Sequence, residues 1–253
     1  MSAASEIIQA MYDKQPLVFG HRGAMAYAPM NTLAAFELAA TQGADGIELD
    51  VHRSRDGYPV IVHDFTVDAT SNGTGQVTEM TLAELKALDV GTWFAAEFAG
   101  AQVPTLDEVF EAVGQRLLIN VEIKAMSLDT DGVEQVVADC IARHNMQRRV
   151  IVSSFNPPTL KRFRAQMPDV PVGFLYYPGA PVDTRLMVAD FAYEAYHPYH
   201  AVIDAAVMEE ACQRGHFVNT WTVNEATEAL RLRDLGVHGI ITNVPDRIAE
   251  ALA

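Results

Sequence analysis

Basic residues are scarce: 18 lysines and arginines stand against 33 aspartates and glutamates, and the formal net charge of the 253-residue chain is −15. Nucleic acid and anionic membrane are bound through a local surplus of Lys and Arg, so neither a nucleic-acid partner nor stable membrane association is expected. An anionic substrate would then require local positive charge, from a metal ion or a few placed basic side chains. Cysteine is nearly absent. Cys140 and Cys212 lie far apart without the CxxC or Cys/His spacing of a zinc site, and read as buried free thiols. Residues 1–16 carry Glu6, Asp13 and Lys14 and lack a long apolar run, which argues against a signal peptide or membrane span there and makes a cytoplasmic protein the expectation. No low-complexity or Pro/Gly/Ser-rich linker divides the chain. With 49% hydrophobic and 20% charged residues, one globular domain over 1–253 is expected, a length that also suits an eightfold βα barrel.

What is present is a rhythm. Short runs rich in Val, Ile, Leu and Phe alternate with longer amphipathic segments, the pattern of parallel strands joined by helical crossovers. Strands are predicted at 17–21, 46–51, 118–124, 150–154, 172–176, 194–197, 217–223 and 239–243. Helices are predicted at 32–42, 106–113, 132–144, 158–166, 184–190, 205–214, 225–235 and 245–252. Asn31 is placed to cap the first helix, Thr105 with Glu108 forms a capping box, and Asn156 before Pro157 and Pro158 marks another start. Gly43, Gly114, Gly215 and Gly236 stand where helices should stop. The fold class is α/β, a (β/α)8 TIM barrel.

One interruption follows the second strand. Residues 51–54 and 59–62 are extended and separated by too few residues for a parallel crossover, so they must form a hairpin. A turn centred on Asp56 and Gly57 sets His52 opposite Ile61 and Asp50 opposite His63. The remaining stretch, about 65–104, holds a short capped helix at 81–88 and the aromatics Trp93, Phe94 and Phe98, and reads as a lobe inserted over the barrel mouth.

Strand parity assembles the chemistry. In 46–51 Glu48 and Asp50 share one face while Ile47, Leu49 and Val51 share the other; in 119–124 Asn120, Glu122 and Lys124 align in the same way. Adjacent carboxylates facing a barrel interior are costly unless a divalent cation or a basic side chain compensates them. Three hard oxygen donors suit Mg2+ or Ca2+, and the same acids with Lys124 could instead form a salt-bridge net. His21 ends the first strand at the same mouth beside Arg22, and His63 returns on the hairpin. An imidazole titrates near neutral pH and so suits acid/base work, while Arg22 and Lys124 can hold phosphate oxygens.

Seven strings carry a resemblance: His21-Arg-Gly23, Asn31-Thr32, Glu48-Leu-Asp-Val51, His63-Asp64, Glu122-Ile-Lys124, Trp221-Thr-Val-Asn224 and Gly239-Ile-Ile-Thr-Asn243. In this order they resemble the glycerophosphodiester phosphodiesterase family. The resemblance implies a barrel enzyme that hydrolyses small-molecule glycerophosphodiesters, such as glycerophosphocholine or glycerophosphoethanolamine, to glycerol 3-phosphate and an alcohol. It implies Glu48, Asp50 and Glu122 as metal ligands, His21 and His63 as the acid/base pair, and Arg22 and Lys124 as phosphate contacts. Trp221 matches an aromatic beside the substrate, although a tryptophan in a strand is also an ordinary core residue. Two departures stand out: Met30 replaces the family's usual Glu before Asn31-Thr32, and Ala69-Thr70 replaces its Arg-Thr pair. If that Glu orients Arg22 or meets substrate hydroxyls, substrate range or rate shifts here. The residues leave open whether the nucleophile is water or the neighbouring glycerol hydroxyl, which histidine begins as base, and the oligomeric state. Two other readings remain, lysophospholipase D-like cleavage using Trp93, Phe94 and Phe98 as part of an apolar channel, and a non-catalytic binding barrel.

Overall fold

The apolar runs pair side by side and close on themselves. In the computed structural model, which describes residues 2–13, 16–180 and 184–253, the strands are β1 (Leu17–His21), β2 (Gly46–Arg53), β3 (Pro59–Ile61), β4 (Leu118–Ile123), β5 (Val150–Ser154), β6 (Val172–Tyr176), β7 (Ala195–Pro198), β8 (Phe217–Thr220) and β9 (Gly239–Thr242). They run in the order β1-β9-β8-β7-β6-β5-β4-β2, and a parallel β1–β2 pairing closes the ring. The antiparallel β3 hangs on β2 outside the parallel set. The α-helices among the described residues are α1 (Ala3–Met11), α2 (Leu33–Thr41), α3 (Leu82–Lys86), α4 (Leu106–Val113), α5 (Val133–Arg143), α6 (Pro157–Gln166), α7 (Ala205–Arg214), α8 (Ala226–Asp234) and α9 (Pro245–Leu252). This is the expected (β/α)8 barrel. None of these helices is long and apolar enough to cross a membrane.

Alternation along each strand separates two cores. Ile47, Leu49, Val51, Ile119, Val121 and Ile123 face outward onto the helices, in one cluster with Phe36, Val109, Val137 and Phe163. Leu17, Phe19, Ile151, Ala195 and Ile241 face inward, where Ile7, Ile8, Met11 and Tyr12 join them from α1 and the chain just after it. That short helix was not foreseen. Its apolar residues Ala4, Ile7, Ile8 and Met11 follow helical spacing behind a Ser2 cap, and each fully buried Ile or Met contributes about 1.5–3 kcal/mol.

Several local expectations need correction. Thr32, not Asn31, caps α2: its Oγ1 accepts from Ala35 N, while Asn31 turns into the barrel. The helix expected at 184–190 is a short 3-10 helix, Thr184–Val188. The predicted strand at 217–223 stops at Thr220, with Trp221 making only an isolated bridge to Tyr199. Gly114 closes α4 at φ −61°, so it is not a left-handed stop; a Cβ there would lie 2.5 Å from Phe110 O. Cys140 is buried and free as expected, but Cys212 is exposed on α7. Lys14, counted in the reading of the first residues, lies outside the described residues.

The hairpin forms one residue out of the predicted register. Arg53 pairs with Pro59, His52 with Val60 and Val51 with Ile61. The cause is the turn, which runs from Ser54 to Tyr58: Ser54 N donates to Tyr58 O at 2.9 Å, and Ser54 Oγ takes both Tyr58 N and, as donor, Asp56 Oδ1. The lobe beyond it carries its own small core of Val67, Val77, Leu85, Val90 and Val103, and Thr81 and Glu84 make the capping box of α3.

Candidate active site

The inward faces of β2 and β4 lie in register, Glu48 beside Asn120 and Asp50 beside Glu122. All three acids are buried, and one ligand atom from each of Glu48, Asp50 and Glu122 lies within 4.8 Å of the others. The sequence-predicted site residues His21, Arg22 and Lys124 converge on the same point. Lys124 Nζ lies 3.1 Å from Asp50 Oδ1 and 2.8 Å from Glu122 Oε1. Arg22 Nε lies 3.3 Å from Asp50 Oδ2 without the alignment of a hydrogen bond, and the Arg22 backbone N donates to Glu48 Oε2 at 3.2 Å.

The chain is bent tightly to achieve this. Arg22 takes φ +52° and Asn31 φ +58°, conformations that cost a non-glycine residue of order 1–3 kcal/mol and concentrate at functional sites. Gly23, between them at φ +84°, lies so close to α2 that a Cβ would meet the Ala35 carbonyl carbon at 2.5 Å. Asn31 N donates to Arg22 O, and Asn31 Nδ2 donates to Asp50 Oδ2 at 2.9 Å. Arg22 Nη1 points at Met30 Sδ at 3.4 Å, so the residue that departs from the family pattern touches the guanidinium directly.

Charge at the site follows from these contacts. Burial would raise the Asp50 carboxyl, but Lys124 and Arg22 outweigh it and hold Asp50 well below the usual range. Glu48 goes the other way: burial first, then the charges of Asp50 and Glu122, push it well above. Glu122 is also raised by burial, only partly offset by Lys124. With all three acids ionised, as ligation of a metal requires, Lys124 and Arg22 leave one negative charge in excess. Glu48 Oε1 and Glu122 Oε2 keep no hydrogen-bond partner among the described residues. A hard divalent cation fits this donor set, since it would take up the free oxygens and reverse the sign of the excess.

Two imidazoles flank the acids. His21 Nε2 lies 3.9 Å from Glu48 Oε2, and its Nδ1 donates to Asn243 Oδ1 at 2.7 Å, which leaves the Nε2 lone pair toward the mouth. Burial, aided by Arg22, lowers His21 to about 4, so the ring is neutral at neutral pH. His63 Nδ1 donates to Asp64 Oδ1 at 2.6 Å, and the chain just before it is held to the acid strand by Val62 N donating to Asp50 O at 3.1 Å, with His63 two residues past the end of β3 at Ile61. A cavity of about 20 Å³, room for a water, lies beside Met30, Asn31 and His63 under the inserted lobe.

Trp221 stands on the opposite side of the mouth, its Nε1 donating to His197 O at 2.9 Å. The other histidines, set aside from sequence, have structural partners. His52 Nε2 meets His63 O, His144 meets Asp107, His200 meets Glu228, and His197 is sealed in the barrel, where it accepts from Asn219 Nδ2. Sequence reasoning gave Asn31 only a capping role and gave none to Asp64 or Asn243, although each begins or ends a string that carried the resemblance.

Residues 21–247 match the model of the glycerophosphoryl diester phosphodiesterase family. The chain belongs to this family. It is 40% identical to a glycerophosphodiester phosphodiesterase of Caldanaerobacter subterraneus over 233 residues, covering 92% of this chain and 96% of the relative. An Oleispira antarctica phosphodiesterase solved in complex with the product sn-glycerol-3-phosphate superposes with a TM-score of 0.83 at 30% identity, covering 96% of this chain and 98% of that one. A putative glycerophosphoryl diester phosphodiesterase from Silicibacter pomeroyi gives 0.84 at 28% identity, over 97% and 96% of the two chains. Family membership makes the chain a phosphoric diester hydrolase, and His21 and both acid-bearing strands, β2 and β4, lie inside the matched range.

Proposed function

We propose that the chain, as one catalytic domain, hydrolyses glycerophosphodiesters to glycerol 3-phosphate and an alcohol, with Mg2+ or Ca2+ held by Glu48, Asp50 and Glu122. The observation that carries this reading is the convergence of three buried carboxylates within 4.8 Å, with His21 Nε2 at 3.9 Å from one of them. The bound cation supplies Lewis acidity to the phosphoryl oxygens. Arg22 and Lys124 add fixed positive charge where negative charge accumulates in the transition state, in a site that needs no reorganisation at that moment.

His21, neutral and with Nε2 unprotonated, takes a proton from the nucleophile, either water or the neighbouring glycerol hydroxyl. His63 donates a proton from Nε2 to the leaving alkoxide, and the Asp64 carboxylate on Nδ1 balances the ring's charge while both nitrogens are protonated. Asn243 and Asn31 position His21 and Asp50. Trp221 lies beside the substrate. A lysophospholipid would need an apolar channel; Trp93, Phe94 and Phe98 pack edge to face on one another, at 5.7 and 5.6 Å.

The direct test is release of glycerol 3-phosphate from a panel of glycerophosphodiesters in the presence of Mg2+ or Ca2+. Turnover on the order of 1–10³ s⁻¹ with at least one head group is the expected result. Absence of glycerol 3-phosphate from every member, with folded protein and either metal, overturns the reading.

A further inference from the structure

Away from the barrel mouth, the outer layer of helices brings a sulfur, an imidazole and a carboxylate together. Cys140 lies in the last turn of α5, His144, four residues on, caps that helix, and Asp107 meets both from the first turn of α4. One ligand atom from each of Asp107, Cys140 and His144 lies within 4.8 Å of the others. His144 Nε2 is 2.8 Å from Asp107 Oδ1, and the ring is steadied by an edge contact with Phe110 at 5.6 Å between centroids. Cys140 is buried, while the Asp107 and His144 side chains are 27% and 19% exposed, so the group runs from the core to the surface between two helices.

Helix capping does not account for this gathering, because Thr105 and Glu108 already cap α4. Asp107 Oδ1 also accepts from Arg143 Nε at 3.0 Å and Nη2 at 2.7 Å, and the Arg143 side chain is 55% exposed. A surface ion pair explains why Asp107 and Arg143 meet. It does not call for a thiol and an imidazole beside the same carboxylate. Zn2+ is the common ion that takes all three donor types, and in its tetrahedral sites neighbouring ligand atoms stand roughly 3.3–3.6 Å apart. The ligands come from two helices, which is why no zinc spacing shows along the sequence.

We propose that Asp107, Cys140 and His144 form a Zn2+ site, separate from the acid cluster in the barrel, that ties α4 to α5. These helices flank β4 in the chain, the strand that carries Glu122. Cys140 binds as the thiolate, its proton leaving to solvent, His144 binds as neutral imidazole through Nε2, and Asp107 gives one carboxylate oxygen; water takes the fourth position. The Arg143 side chain swings out to solvent, and the charge of the ion replaces its own on Asp107. Mg2+ and Ca2+ prefer the all-oxygen donors of Glu48, Asp50 and Glu122 and are poor guests for a thiolate. The Zn2+ site does not depend on the hydrolase reading.

Co2+ is the probe, because a thiolate ligand gives it an intense near-ultraviolet charge-transfer band that oxygen ligands do not. The titration uses the full chain with Cys212→Ser, which removes the exposed thiol, in excess Mg2+ to occupy the acid cluster. A saturable band is expected, and Zn2+ should bleach it while further Mg2+ leaves it in place. Cys140→Ser should remove the band, and His144→Gln should weaken Co2+ binding at least tenfold, since one of three protein ligands is lost. Zn2+ should also raise the melting temperature of the parent and not of His144→Gln. Absence of the band in the Cys212→Ser chain, or survival of the band in Cys140→Ser, overturns the site. Should Cys140→Ser fail to fold, the partly exposed His144 decides: an unchanged Co2+ affinity in His144→Gln overturns the site equally. Failure to release glycerol 3-phosphate would sink the hydrolase reading alone.

Discussion

His21→Ala is expected to lower kcat by about 10²–10⁴-fold, with His63→Ala giving a loss of the same order. Neither ring is part of the packed core. His21 loses one hydrogen bond to Asn243 and His63 one to Asp64, a cost of about 1 kcal/mol each, so melting temperatures should stay within a few degrees of the parent. Because the two rings act on one reaction coordinate, the double variant should be little worse than either single one. Comparable kcat in parent and single variants would end the acid/base assignment. A large fall in melting temperature accompanying the loss would instead make the histidines structural.

Chelation by EDTA should remove turnover, and added Mg2+ or Ca2+ should restore it. The cation is asked for several kcal/mol of transition-state charge stabilisation, which is on the order of a 10³-fold change in rate. A stability effect should accompany the loss. Glu48, Asp50 and Glu122 repel one another in the buried cluster, so an ion at a hundred times its Kd adds about 2.7 kcal/mol and raises the melting temperature by roughly 5–10 °C. Glu48→Gln should stabilise the chelated protein, because it removes the carboxylate that burial and its neighbours most disfavour, while abolishing the response to metal. Full activity after exhaustive chelation would eliminate the metal role, and an unchanged metal response in Glu48→Gln would remove Glu48 from the ligand set.

The parts of this site legible from sequence are those governed by strand parity. Glu48, Asp50, Glu122 and Lys124 had to share a face once 46–51 and 118–124 were strands, and their partners across β2 and β4 follow from register alone. Where a local choice competes, reading by pattern fails. Asn31 can satisfy a helix N-terminus or a buried carboxylate; Thr32 takes the helix, and the buried charge of Asp50 wins the asparagine. The hairpin slipped by one residue because Ser54 closes a wider turn than the Asp56-Gly57 pair suggests. The α1 helix carried a usable signal in the spacing of Ala4, Ile7, Ile8 and Met11, but its packing against the inward-facing residues of β1, β5, β7 and β9 is something no local pattern encodes. The group of Asp107, Cys140 and His144 is the clearest case. Asp107 is remote from the other two in sequence, and only the packing of α4 against α5 makes them neighbours.

The claim on which the rest depends is that one ion sits among three acids. Crystals soaked in Mn2+ and measured for anomalous scattering locate it without any assay. The expected map has a single peak within roughly 2.0–2.6 Å of a carboxylate oxygen from each of Glu48, Asp50 and Glu122. A map with no peak there would contradict the account. So would one whose peak lies instead at Asp107, Cys140 and His144, the other such group of ligand atoms within 4.8 Å of one another among the described residues.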